Sequence, residues 1–485
     1  MNDARQEPID TAAWSELLRD GRALYTVLIL LGTALHALQN LVIAIIMPTV
    51  VGDIGGGDYY TWPAMLYTIG SIIGSASLGP IWRKLGRRRG YAVSTFAFFV
   101  GTAGCALAPD MGTLNAMRAI QGYAGGMVVG GGMVLISGLF EPAQRKRLMA
   151  AHQGVWMVAQ LMGPVVGGAF AEIGWWRGSF WVMMPIILGF SLLALVKLPR
   201  GEEGAGSTQQ EAGHGSSVFG NSPLLRLGIL TGGVFAVALV GPIKDDVLRP
   251  ILIVGAAALV WLAFRLDGRA ENKLYPSQAL SIRSPVGLAM WILIAAGMLQ
   301  TSVTLFLPLL LQVVHGVAPL FISVVTIVIS LGWTIATFAV SGWSGAKERL
   351  ALRCGPLFMI AGLIGMTVTA ELPYLFIMAL AALIQGLGLG MHNALLITRT
   401  MANARPGEER ITSSALPSIR ALGTAFGAAL AGVLSTVAGL GDANNPVAVG
   451  HAIAIVYGVN LLPLGIAAIF MFRLVRHGQD RRGTV

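Results

Sequence analysis

Residues 24–50 read LYTVLILLGTALHALQNLVIAIIMPTV, from Leu24 to Val50, and contain no Asp, Glu, Lys or Arg. A helix rising 1.5 Å per residue crosses a hydrocarbon core of roughly 30 Å in about 20 residues, so this run is long enough to span one. It is too long for the apolar part of a signal peptide and has no small-x-small cleavage site. It also follows a segment carrying Glu7, Asp10, Glu16 and Asp20, so it reads as a retained span. The pattern recurs at 60–82, 90–108, 112–137, 149–171 and 179–198, then at 224–243 and 248–264. It returns at 286–314, 318–342, 350–370, 373–397, 413–437 and 447–472. The fold class expected is all-α and polytopic, about fourteen spans laid out as six, two and six.

Composition agrees with membrane as the solvent. The chain is 55% hydrophobic and 12% charged, where soluble domains run near a quarter charged. A net charge of +10 would suggest nucleic acid if the basic residues shared one surface. Here they fall in short clusters between spans, so no nucleic-acid partner is expected. If the N-terminus is cytoplasmic, the inner loops receive residues 83–89, 145–147, 347–353, 399–410 and 473–482. Arg177, Lys244 and Arg249 stay outside, and Arg118 and Arg420 lie within spans. Both termini are therefore expected in the cytoplasm and the protein in the inner (plasma) membrane. Losing or adding one span would throw later basic clusters outside. Thr11 to Leu18, with Trp14 and Leu17, reads either as an interfacial helix or as a frayed tail. Cys105 and Cys354 have neither a pairing framework nor metal spacing and read as packing residues.

The segment after the second span is Gly79-Pro-Ile-Trp-Arg83-Lys-Leu-Gly86-Arg87-Arg-Arg89. It resembles the G-x-L-x-D-R-x-G-R-R signature of the major facilitator superfamily. A plain basic inner loop would explain the arginines but not the two placed glycines. In the fourth span, Arg118-Ala-Ile-Gln121-Gly122 resembles the family's R-x-x-x-G element. In the fifth, Gly163-Pro164-Val-Val-Gly167-Gly168 resembles the G-P-x-x-G-G element of its exporters. Small residues let helices approach closely, and proline bends a helix by removing a backbone hydrogen bond. Gly174-Trp-Trp-Arg177 and the central pair of spans extend the similarity to the fourteen-span drug:proton antiporter family, over essentially the whole chain. The resemblance implies two six-helix bundles rocking about a midplane site, and a monomer. The segments expected are 1–23 (cytoplasmic N-terminus), 24–198 (first bundle), 199–223 (cytoplasmic loop), 224–264 (two added spans), 265–284 (connector), 285–472 (second bundle) and 473–485 (tail).

Two departures from the family pattern are informative. Arg83 stands where the family carries the Asp that helps latch its halves. Counting back from Pro48, the family's first-span Asp falls at Gln39, beside Asn40. At 1.5 Å per residue Gln39 lies roughly 20 Å above the inner boundary and Arg118 roughly 10 Å below the outer one, the same depth. An Asp there would pair with Arg118; Gln39 offers it only a neutral acceptor. An uncompensated intramembrane charge costs at least ~2.5 kcal/mol. With no Asp or Glu deep in any expected span, the proton-carrying candidates are His36, then His392 and His451; a packed hydrogen-bonding role is the alternative for each. The second half adds Gln300, Gln385, His392, Asn393, Arg420 and Asn460 at membrane depth. The residues expected to bind substrate or couple transport are thus His36, Gln39, Asn40, Arg118, Gln121, Gln300, His392, Asn393 and Arg420. Arg118 and Arg420 either make a cavity of positive potential or are structural, bonded to carbonyls at helix bends. Trp62, Met65, Tyr67, Met127, Met157, Phe180 and Met298 are candidates for an adaptable apolar wall.

Three functions compete on these residues. The first is a secondary transporter exporting an amphipathic or drug-like small molecule, with protons as candidate coupling ion. The second is a facilitator or importer of an organic anion, such as a metal chelate or carboxylated metabolite. The third is a non-transporting membrane receptor or partner, against which stands the lack of any long soluble domain. No nucleophile-base pair, metal spacing or G-x-x-x-x-G-K-[ST] loop occurs, so neither an enzyme nor a cofactor is expected.

Overall fold

A computed structural model describes residue 17 and residues 22–198, 223–243, 245, 247–271, 273–440 and 445–480. Most of the expected N-terminal segment, nearly all of the 199–223 loop, the end of the tail, Lys244 and the Arg83 side chain lie outside the described residues, as does most of the Thr11–Leu18 stretch. The helices are α1 Arg22–Ile54, α2 Trp62–Leu107, α3 Met111–Leu139, α4 Pro142–Glu172, α5 Gly178–Trp181, α6 Met184–Lys197, α7 Pro223–Leu239 and α8 Leu248–Arg269. They continue as α9 Pro285–Leu309, α10 Pro319–Val340, α11 Gly345–Thr369, α12 Leu375–Ala402, α13 Glu409–Val437 and α14 Pro446–Asp480. No strand occurs among the described residues.

Twelve helices among the described residues are long and apolar enough to cross a membrane, against the fourteen counted in the sequence. The difference lies in two places. The first half of α2 is joined to the second through a break at Gly86, whose φ of 74° and ψ of 162° suit glycine and no L side chain. The second is α7, whose apolar part Leu224–Leu239 is shorter than the other spans. The 265–284 connector also starts later than expected, because α8 continues to Arg269. Arg265 lies over the Trp261 ring at 4.7 Å, and Asp267 is buried in an ion pair with Arg226 of α7.

The chain packs as two bundles and an added pair. α1 packs on α3 and α4, and α2 on α3 and α6; α9 packs on α13 and α14, α10 on α12, and α11 on α12 and α14. α7 and α8 pair with each other, and α7 touches both α2 and α13. Asp267 accepts from Arg226 at 2.5 Å and from the N–H groups of Leu274 and Tyr275 at 2.9 and 3.0 Å. Tyr275 then meets Ser418 of α13 at 3.3 Å, so one buried carboxylate ties the added pair to the second bundle.

Side-chain bonds sort the loops into two ends. At one, Arg177 pairs with Asp53 at 2.5 Å, Glu172 accepts from the Leu320 N–H at 3.2 Å, and His451 lies 3.6 Å from Glu371. At the other, Arg22 pairs with Glu141 at 3.5 Å, Arg88 donates to the Leu195 carbonyl, and Arg399 pairs with Glu348 at 3.3 Å. These are called the acidic and basic ends below. His451, expected at depth, is 65% exposed at the acidic end.

The bundles are joined at the acidic end. Tyr60 donates to the Leu305 carbonyl at 3.1 Å and stacks on Phe306, and Ser323 donates to the Pro164 carbonyl at 2.6 Å. Thr436 reaches the Asp58 carbonyl at 3.5 Å. The 163–168 element makes this seam possible. A Cβ at Gly163 would lie 2.8 Å from Leu41 Cβ of α1, and one at Gly168 would lie 2.2 Å from Ser323 Oγ and 2.8 Å from the Pro319 carbonyl. Gly163 and Gly167 thus let α4 approach α1, while Gly168 lets it approach α10 of the other bundle. Gly79 meets nothing within 4 Å, so it is not a packing glycine.

Candidate functional site

Each bundle holds one arginine among neutral polar groups at membrane depth. In the first bundle Arg118 of α3 is fully buried. Its Nε donates to the Pro63 carbonyl at 3.1 Å, and its Nη1 donates to the Gln39 carbonyl at 3.2 Å and to Gln121 Oε1 at 2.6 Å. Arg118 and Gln121 are three residues apart on α3 and so share a helix face. Gln121 passes the bond on: its Nε2 donates to Thr102 Oγ1 at 2.9 Å, and Thr102 donates to the Phe98 carbonyl at 2.8 Å. The chain ends on backbone. Cys105 Sγ lies 3.9 Å from Gln121 Oε1, consistent with its reading as a packing residue.

The guanidinium also lies over the Tyr67 ring, 4.1 Å from its centroid. The Tyr67 hydroxyl is 2.8 Å from His36 Nδ1 and 3.0 Å from the His36 carbonyl. The carbonyl can only accept, so one hydroxyl proton serves it while the oxygen accepts from Nδ1–H. Both contacts are bonds when His36 carries its proton on Nδ1. Trp156 of α4 meets the His36 ring edge-on at 6.0 Å.

Gln39 corrects the sequence reading in one respect. Its backbone carbonyl, not its amide, accepts from Arg118; the amide is buried and neither of its polar atoms has a partner. Gln121, one turn along from Arg118, takes the acceptor role expected of the Gln39 side chain. Asn40 is half-buried beside it.

In the second bundle Arg420 of α13 is half-buried. Its Nη1 donates to Asn393 Oδ1 of α12 at 2.9 Å, and its Nη2 to Gln300 Oε1 of α9 at 2.9 Å. Trp333 of α10 lies beside the guanidinium, its ring centroid 5.1 Å from Cζ. Four helices therefore converge on one cation. His392 does not join them: its Nδ1 lies 2.8 Å from the Gly388 carbonyl, and a Cβ on Gly355 would strike its ring, so it packs against α11. No carboxylate pairs with Arg118 or Arg420 among the described residues.

Three groups that complete these clusters lie outside the expected site: Thr102, Trp156 and Trp333. Of the expected apolar wall, Met65, Tyr67, Met127 and Phe180 are buried core; Met157 is exposed, and Trp62 packs edge-on against Phe235 of α7. Of the arginines in the signature loop, Arg88 is tied back to α6.

Comparison with known proteins places the chain. A family model described as Major Facilitator Superfamily matches residues 29–428. The chain is 29% identical over 448 residues to a "Probable multidrug-efflux transporter" of Mycobacterium tuberculosis (strain ATCC 25618 / H37Rv), covering 89% of this chain and 92% of the relative. It is 22% identical over 413 residues to "Multidrug resistance protein 3" of Bacillus subtilis (strain 168), covering 84% and 78%. Among solved structures it is similar in fold to a D-xylose-proton symporter, with a TM-score of 0.64 at 15% identity, over 94% of this chain and 98% of that one. It is also similar to a bacterial homologue of the human lysosomal transporter Spinster in an inward-facing, occupied conformation, with a TM-score of 0.57 at 14% identity, over 94% and 97%.

Proposed function

The chain belongs to the major facilitator superfamily and is a multi-pass membrane transporter of small molecules, and from that premise we propose that it exports an amphipathic, drug-like compound by alternating access. The observation that carries this reading is the seam. The bundles are bonded to each other at the acidic end through Tyr60, Ser323 and Thr436. At the basic end Arg22–Glu141 and Arg399–Glu348 are bonds within a bundle. Positive loops stay in the cytoplasm, so the basic end is the cytoplasmic one, both termini lie there, and the bonded seam closes the opposite face, one of the two states that alternating access requires. The outward direction rests on the names of the multidrug relatives and on the exporter-like 163–168 element. Fourteen spans, with the connector beginning after Arg269 and the other segment boundaries as given above, and a monomer belong to this reading.

Proton coupling is carried here by His36, the titratable side chain wired to Tyr67 and thereby to Arg118. The test is dye movement in proteoliposomes, with and without an imposed pH gradient, for the native protein, His36→Ala and Gln39→Asp. Gradient-driven outward movement that His36→Ala abolishes is the expected result. Equilibration that ignores the gradient, with Gln39→Asp creating a pH response, would establish the facilitator reading instead. Gly168→Val tests the seam: its added Cβ falls on Ser323 Oγ, so cysteine cross-linking across the acidic end of α4 and α10 is expected to drop together with transport.

A further inference from the structure

The two arginines differ in what they leave open. Arginine has five N–H donors and no acceptor. Arg420 uses two of them, on Asn393 Oδ1 and Gln300 Oε1. The amide orientations are forced, because only an oxygen can face a guanidinium. The Asn393 and Gln300 NH2 groups therefore point away from it as further donors. None of these nitrogens is sealed without a partner, whereas Arg118 Nη2 is. Arg420 Nε and the Asn393 and Gln300 amide nitrogens, unsealed and outside the two bonds just named, are therefore the open donors of this cluster. These three are donors, beside one positive charge and no carboxylate among the described residues to balance it. Trp333, half-buried and 5.1 Å from the same cation, supplies a flat apolar face at its edge.

We propose that Arg420, Gln300 and Asn393 form the subsite that binds the anionic group of the transported compound, and that Trp333 packs against an adjoining aromatic ring. The substrate class is an aromatic carboxylate or sulfonate. An oxyanion has several lone pairs and a planar or tripod geometry that a donor-only cradle satisfies, and charge-assisted bonds are the stronger kind. A cation would meet the repulsion of the guanidinium with no carboxylate among the described residues to offset it. Arg420 is the binding group; Gln300 and Asn393 are positioning residues that hold its plane and add donors.

This rests on the reading of the protein as an exporter, and the experiment separates the two. Equilibrium binding to the purified full-length protein is measured with radiolabelled 2-naphthalenesulfonate, neutral 2-naphthalenesulfonamide and 2-naphthylmethylammonium. The native protein is expected to bind the sulfonate about ten- to hundred-fold more tightly than either analogue, the range that hydrogen bonds to a charged group supply. Arg420→Gln is expected to erase that preference while retaining the sulfonamide. Asn393→Asp, which keeps the guanidinium but gives it an internal counter-ion, should do the same, so a folding defect in the first variant does not decide the matter. Trp333→Leu should weaken all three probes alike. Equal or tighter binding of the ammonium, or a preference that survives both Arg420→Gln and Asn393→Asp, overturns the anion subsite and leaves the transporter reading standing. If the native protein binds none of the three, the anion subsite falls, and the dye-movement assay decides the transport reading separately.

Discussion

Arg118 and Arg420 sit at membrane depth in opposite bundles, each without a carboxylate, and the protein treats them in opposite ways. Arg118 is fully buried and spends its donors on two backbone carbonyls and a side-chain amide that is itself bonded to Thr102. Arg420 rests on two amides and leaves its Nε unsealed. Arg226 is a third case, fully enclosed and given a carboxylate, Asp267, to match it. A cation inside a membrane protein is tolerable when carbonyl dipoles, an opposite charge or water reach it. Which of the three the chain supplies separates a structural charge from one that can recognise a ligand.

Stability measurements can break this ordering. The largest effect is expected for Asp267→Ala, which takes the carboxylate from a buried pair and strips the Leu274 and Tyr275 N–H groups of their acceptor. Disrupting a buried pair from one side costs about 3–5 kcal/mol, read as a fall in the midpoint of thermal unfolding, with the 274–275 segment becoming open to proteolysis. Arg118→Leu follows at about 2 kcal/mol, because Gln121 loses its buried donor and two carbonyls lose a charged partner. Arg420→Gln should change stability by less than about 1 kcal/mol, since the residue is half-buried and glutamine keeps a donor for its two amide partners. If Arg118→Leu and Arg420→Gln destabilise equally, the distinction between a sealed and an open arginine fails, and with it the argument for a ligand at Arg420.

The sequence made the membrane fold, the bundle helices and both arginines legible, because long apolar runs, basic loops and an intramembrane charge are all local signals. The close approach of α4 to α1 and α10 was also readable in Gly163, Gly167 and Gly168, since small residues in register mean close helices. Partnership across helices was not. Gln39 looked like the natural acceptor for Arg118 by depth, yet Gln121 holds that place because it lies on the same helix face. Trp333 carried no mark in sequence, being one aromatic in an apolar run; only packing of α10 against α12 brings it to Arg420. Asp267 was read as part of a charged connector, because nothing local distinguishes a carboxylate in water from one facing Arg226 forty-one residues away. His392 and His451 fail in complementary ways, one turned into a neighbouring helix and the other carried out to the acidic end.

The smallest effect belongs to a carboxylate that solvent already serves, and it fixes the low end of the comparison. Asp110 caps α3, accepting from the Thr113 N–H at 2.8 Å and from the Thr113 hydroxyl at 3.0 Å. These two bonds, the backbone one first, hold its carboxyl below the usual carboxylate range. A folded carboxyl so depressed contributes stability that is present above the unfolded value, near pH 4, and is lost as pH falls through the folded one. Asp110 faces water, so the contribution is slight and shared with solvent. Asp110→Asn keeps an oxygen for the Thr113 N–H while removing the titration. Melting temperature followed from pH 6 downward should therefore fall slightly more steeply for the native protein than for Asp110→Asn, with the two curves parallel above about pH 5. A difference as large as that of Arg118→Leu would mean that α3 depends on its exposed cap as much as on its buried arginine, and burial would then no longer rank the charged groups of this protein.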